Sequence, residues 1–119
     1  MARVALLCPD LLFGSKVEGG LDAAGHQVTR FDTEEEVRVA LAEADVLVVD
    51  LTADSFDGAA VVESLRAAGE TAATPALGFY SHVDAETRRR AEAAGFDLVV
   101  PRSRMAREMG ALVDRLAAG

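Results

Sequence analysis

Several features that would point a chain of 119 residues elsewhere are missing or scarce. There is one cysteine, Cys8, which excludes an internal disulfide and fits a reducing, cytoplasmic setting. Lysine is represented by Lys16 alone. No stretch approaches the ~20 apolar residues that a membrane-spanning helix needs, so the expectation is a soluble protein with no membrane contact. The opening MARVALLC pairs a basic residue with a short apolar run, but Pro9 and Asp10 end that run well short of the ~7–15 residues of an export-signal core. Positive charge is scarce as well. A formal net charge of -8 repels phosphate backbones and argues against nucleic acid as a direct partner. Residues 1–83 carry 5 basic and 14 acidic groups, whereas residues 84–119 carry 7 and 6, so the last third is the less acidic part.

What remains is an ordinary globular balance, with half of the residues hydrophobic and 27% charged, and no low-complexity linker or internal repeat. Apolar runs alternate with helical patterns five times. Arg3 to Leu7 reads as the first strand. Phe13, Val17, Leu21 and Ala24 then share one helix face, and Gly25 closes it. HQVTRF is a short second strand. Thr33 with Glu36 has the spacing of a capping box, ahead of a stripe of Val37, Ala40, Leu41 and Ala44. Val46 to Val49 lack polar alternation, as in a strand buried on both faces, and a helix beginning near Asp57 presents Val61, Val62 and Leu65 before Gly69. TAATPALGFY holds the fourth strand, with Pro75 tolerable only at its start. Asp84 is placed to cap a helix that Gly95 ends. FDLVV is the fifth strand, and Ser103 is placed to cap a last helix with Met105, Met109, Leu112, Val113 and Leu116 on its inner face.

Five strand-helix units with right-handed crossovers give an α/β fold, a flavodoxin-like doubly wound five-stranded parallel sheet of order 2-1-3-4-5 with helices on both faces. Such sheets keep their ligands at the carboxyl ends of the strands, at the switch point between strands one and three. The residues that should meet there are Cys8, Pro9 and Asp10; Asp50 and Thr52; Tyr80, Ser81 and His82; and Pro101, Arg102 and Ser103. Carboxylates, hydroxyls and a guanidinium in one shallow pocket suit a hard cation on oxygen ligands and a phosphoryl group on a carboxylate. GSKVEGG, by contrast, lies inside the first helix pattern and lacks the Lys-Ser/Thr ending of a phosphate loop.

The alternation resembles response-regulator receiver domains over nearly the whole chain, and VLVVDLTADSFDG is similar to their third strand and the loop after it. In that family the strand ends in the phosphoacceptor aspartate and a glycine follows eight positions on, a spacing kept by Asp50 and Gly58. AAGHQV resembles the family's approach to its second strand. The resemblance implies that Asp50 is the phosphoacceptor position, with Thr52, Ser81 and Arg102 supporting it, and that residues 1–119 form a single receiver-like domain with no output domain. It also exposes departures. The acidic pair that holds magnesium after the first strand is replaced by Cys8 and Pro9, leaving Asp10 one place late. The hydroxyl residue after strand four falls on Tyr80 or Ser81. The lysine after strand five meets Pro101, with Arg102 beside it, and an arginine in place of a lysine at a shaped site is not conservative.

The expectation is therefore a degenerate receiver: a signalling or protein-interaction module, not an enzyme, with no required cofactor. The resemblance implies contact with a protein partner, or with a second copy, through the face of the fourth helix, fifth strand and fifth helix, where Arg88, Arg89, Arg90, Arg102, Arg104 and Arg107 form a docking surface if they are not simply solvated. Two alternatives stay open. One is a conventional phosphoacceptor, with Asp10 and Asp50 holding magnesium and Ser81 and Arg102 supporting the phosphoryl group. The other, less favoured for want of a glycine fingerprint, is a crevice for a nucleotide or flavin.

Overall fold

The unbroken apolar runs need a sheet covered on both faces, and that is what they build. A computed structural model describes residues 1–69, 74–81 and 85–119. Its elements are β1 (Arg3–Leu7), α1 (Leu11–Ala23), β2 (Gln27–Phe31), α2 (Glu34–Ala40), a 3-10 turn (Leu41–Glu43), β3 (Val46–Asp50), α3 (Gly58–Ala67), β4 (Ala76–Tyr80), α4 (Ala85–Ala94), β5 (Leu98–Pro101) and α5 (Arg102–Ala117). The strands pair in parallel in the order β2-β1-β3-β4-β5, as the alternation predicts. Every residue of β3 and β4 is buried, whereas the edge strand β2 is only partly covered.

The period of two along each strand divides the core in half. Val4, Leu6, Val46, Val48, Leu77, Phe79 and Val100 pack with α1 and α5. Ala5, Leu7, Leu47, Val49, Tyr80 and Val99 pack with α2, α3 and α4. Helix starts follow the short polar residues: Asp10 caps α1, Thr33 caps α2 and Asp57 caps α3 through side-chain oxygens. Gly25, Gly69 and Gly95, expected at helix ends, all take positive φ.

Three readings of the sequence need correction. α2 stops at Ala40, and Leu41 reaches the core from the tighter 3-10 turn, so the expected stripe bends where Asp45 Oδ2 accepts from the Arg3 N–H at 2.8 Å. Asp45, which in sequence is a bland residue at the strand entrance, is thus a strand tie. Ser103 does not cap α5. The helix begins two residues earlier, at Arg102 after extended Pro101, with no side-chain cap. His82 and Asp84 lie outside the described residues. Among those described, no helix is long and apolar enough to cross a membrane.

Candidate functional site

Asp50 ends β3 on the same face as Val46 and Val48, so its side chain turns toward α1 and α5 and is 1% exposed. The loop beyond it is fixed by two glycines. A Cβ at Gly78 would stand 2.7 Å from Leu51 Cδ1, and one at Gly58 would stand 2.9 Å from Val49 Cγ1 and 3.4 Å from the Asp50 carbonyl oxygen. The eight-residue spacing from Asp50 to Gly58 therefore has a mechanical cause: α3 starts flush against the end of its own strand.

Each carboxylate oxygen of Asp50 has its own partners. The Thr52 N–H donates to Oδ1 at 3.0 Å and the Thr52 hydroxyl to the same oxygen at 3.2 Å. The Ser81 hydroxyl and N–H approach Thr52 Oγ1 at 3.0 and 3.3 Å, so the loop after β4 is tied to Asp50 through one threonine. Tyr80 points the other way, into the core beneath α3 and α4. Of the two hydroxyl residues left open by the sequence, Ser81 is the one brought to this site.

On the other side, Arg102 Nη2 lies 3.2 Å from Asp50 Oδ2 and Nη1 lies 3.2 Å from Asp10 Oδ2. Asp10 is doubly used, because its Oδ1 accepts from the N–H groups of Leu12 and Phe13 at the start of α1. The Phe13 N–H, followed by Arg102, holds the Asp10 carboxyl below the usual carboxylate range. The Arg102 guanidinium carbon stands 4.6 Å over the Phe13 ring and 5.8 Å from Phe79, whose ring centroid is 5.0 Å from that of Phe13. Cation–π attraction of this kind adds to the ion pairs and fixes the plane of the guanidinium. In sequence, Phe13 is placed only on a helix face and Phe79 only within the fourth strand, so neither is marked as a site residue.

Cys8 Sγ is 3.8 Å from Asp50 Oδ2 and the residue has no exposed surface. Burial, reinforced by the Asp50 charge, pushes the thiol up to about 12. A thiol held protonated in this way is not a nucleophile at neutral pH.

A magnesium ion demands near-octahedral oxygen ligation. Here Arg102 takes one oxygen of Asp10 and one of Asp50 while N–H and hydroxyl donors take the others, so with Arg102 in place the residues present do not fit the ion. Among the described residues no group of three or more His, Cys, Asp or Glu side chains is arranged to hold a metal. The pocket is shallow, and Asp54 and Ser55, not singled out from sequence, line its rim with Pro9, Thr52 and Arg102.

The expected arginine surface divides. Arg102 is turned inward. Arg90 Nη2 donates to Asp57 Oδ2 at 2.7 Å, linking α4 to the cap of α3. Arg88, Arg89, Arg104 and Arg107 stay at the surface, each beside an acid of its own helix: Glu92, Glu86 and, for the last two, Glu108.

No protein family and no curated protein sequence matches the chain. Solved structures do. A putative response regulator from Chloroflexus aurantiacus superposes with a TM-score of 0.89 at 20% identity, covering 99% of this chain and 98% of that one. The signal receiver domain of the putative response regulator NarL from Mycobacterium tuberculosis gives 0.84 at 22% identity over 99% and 97%. The receiver domain of DrrB, in a BeF3-activated form, gives 0.85 at 20% identity over 100% and 99%. The chain has the fold of response-regulator receiver domains.

Proposed function

We propose that this chain is a receiver-like signalling module that works by contact with a protein partner, and that its aspartate site is a fixed junction, not a phosphoacceptor in turnover. The observation that carries this reading is the full engagement of Asp50. One oxygen takes two Thr52 donors, the other faces Arg102, and the carboxylate is almost wholly out of solvent. A carboxylate attacks phosphorus with a free lone pair, and on this one Thr52 and Arg102 hold both oxygens.

The partner surface in this reading is the face of α4, β5 and α5, offered to a different protein or to a second copy. Support comes from the Thr52–Ser81 contact, which joins Asp50 to the loop leading into α4, and from Asp57–Arg90, which joins the loop after β3 to α4 itself. Nucleic acid is disfavoured by the acidic balance, and the lone buried thiol suits a reducing cytoplasm. No cofactor or catalytic turnover is part of the reading.

Beryllofluoride, which mimics a phosphoryl group on aspartate, tests it. The melting temperature of the protein is measured with magnesium alone and with magnesium plus beryllofluoride, using Asp50→Asn as control. The expected result is no shift beyond about 1 °C between the two conditions. A rise that requires magnesium and beryllofluoride together, and that Asp50→Asn abolishes, would overturn the proposal and establish the conventional phosphoacceptor.

A further inference from the structure

Asp10 and Asp50 leave the sheet from different strands, yet one guanidinium reaches both, at 3.2 Å each. Arg102 makes this bridge from the first residue of α5, with no acidic residue in that helix's own first turn. A cation at a helix N-terminus opposes the helix dipole, and here the carboxylates after β1 and β3 supply the compensation that the helix itself lacks. The side chain is further confined by Phe13 and Phe79, and among the described residues its buried Nε has no hydrogen-bond partner. That is the posture of a group held by charge and ring packing at one point between two acids.

Charge balance points the same way. Two carboxylates facing one pocket need positive charge between them, and a divalent ion is the usual means. Here one guanidinium supplies part of it, and the N–H groups of Leu12, Phe13 and Thr52 supply directed hydrogen bonds for the remainder.

We infer that Arg102 is the resident cation of this site: its guanidinium holds the bridging position between Asp10 and Asp50, so the junction is set without a metal, and a divalent ion binds there only when Arg102 is removed. This rests on the reading of Asp50 as a fixed junction and adds what fixes it. It also distinguishes Arg102 from Arg88, Arg89 and Arg104, whose partners are acids of their own helices.

The test titrates wild type and Arg102→Ala with manganese and magnesium chlorides at constant ionic strength, following manganese binding by calorimetry and stability by thermal melting. Wild type is expected to show no saturable site at millimolar ion. Arg102→Ala is expected to gain one, with its melting temperature rising about 5 °C at tenfold excess over Kd, and to lose it again when Asp10→Asn is added. If the alanine variant does not fold, Arg102→Gln, which keeps a polar side chain without the charge, takes the same titration. A folded Arg102 variant with no divalent site would overturn the inference, and so would wild-type protein that binds manganese one-to-one through Asp10. These titrations contain no phosphoryl mimic, so they succeed or fail separately from the beryllofluoride melt.

Discussion

The two faces of the sheet are held in different ways. On one face, α1 and α5, of 13 and 16 residues, lie against each other and are pinned at the carboxyl edge, where Asp10 meets Arg102. At the opposite edge buried His26 Nε2 stands 2.8 Å from Asp114 Oδ1, close but without hydrogen-bond geometry. Between the two edges the helices touch closely: a Cβ on Gly20 would overlap the Met109 side chain, and one on Gly110 would lie 3.1 Å from Ala24 Cβ. On the other face, α2, α3 and α4 have 7, 10 and 10 residues. Their cross-links run between surface groups, Arg38 to the Ser64 hydroxyl at 2.7 Å and Arg90 to Asp57, and α4 buries only Ala91 and Ala94. Interlocked helices resist displacement, whereas a helix seated on two methyl groups shifts at small cost. The proposed partner face straddles both regimes, so α4 is the part of it that adapts and α5 the part that stays.

Three comparisons between variants would break or sharpen this contrast. Phe79→Ala removes a fully buried ring that packs under Phe13 and Arg102. It should cost about 3–5 kcal/mol in denaturant unfolding, against about 1–2 kcal/mol for Ala91→Gly under α4. Equal losses would mean that the two faces are equally committed. Next in size, Gly110→Val drives a branched side chain into the α1–α5 contact and should cost about 1–3 kcal/mol, while Gly19→Ala, on the open side of α1, should be neutral or slightly stabilising. A melting temperature for Gly110→Val at or above wild type would remove the close-contact half of the argument. Smallest is Asp57→Ala, which deletes the α3 cap for about 1 kcal/mol. Arg90 first, then the Ala60 N–H, lowers the Asp57 pKa. A depressed carboxylate stabilises the fold above its unfolded value near 4, and that contribution fades as pH falls through the folded pKa. The gap between wild type and Asp57→Ala should therefore be constant from pH 5 to 8 and narrow below pH 4. A gap independent of pH down to 3 would show that the Asp57 charge contributes nothing.

Much of the fold was legible because it depends on local patterns that tertiary context reinforces. Unbroken apolar runs marked the strands, helical spacing marked the buried stripes, and Asp50 could be placed because a strand buried on both faces ended in it. The residues that fix the site were less legible. Arg102 was expected in the pocket, but its bridge to both Asp10 and Asp50 depends on α5 starting directly after Pro101, which no sequence pattern marks. The roles of Asp45 and Asp97 were also hidden, since each carboxylate accepts the N–H of a strand start far away in the chain, Arg3 and Ala76 respectively. Thr52 and Ser81 were expected in the pocket, but their mutual contact is set by two loops that no periodicity governs.

The seclusion of Cys8 bears on how two copies of this chain would associate. A thiol with no exposed surface, protonated up to about pH 12, takes no part in intermolecular disulfide exchange. Any dimer is then held by noncovalent contacts alone, its stoichiometry following concentration and ignoring added reductant.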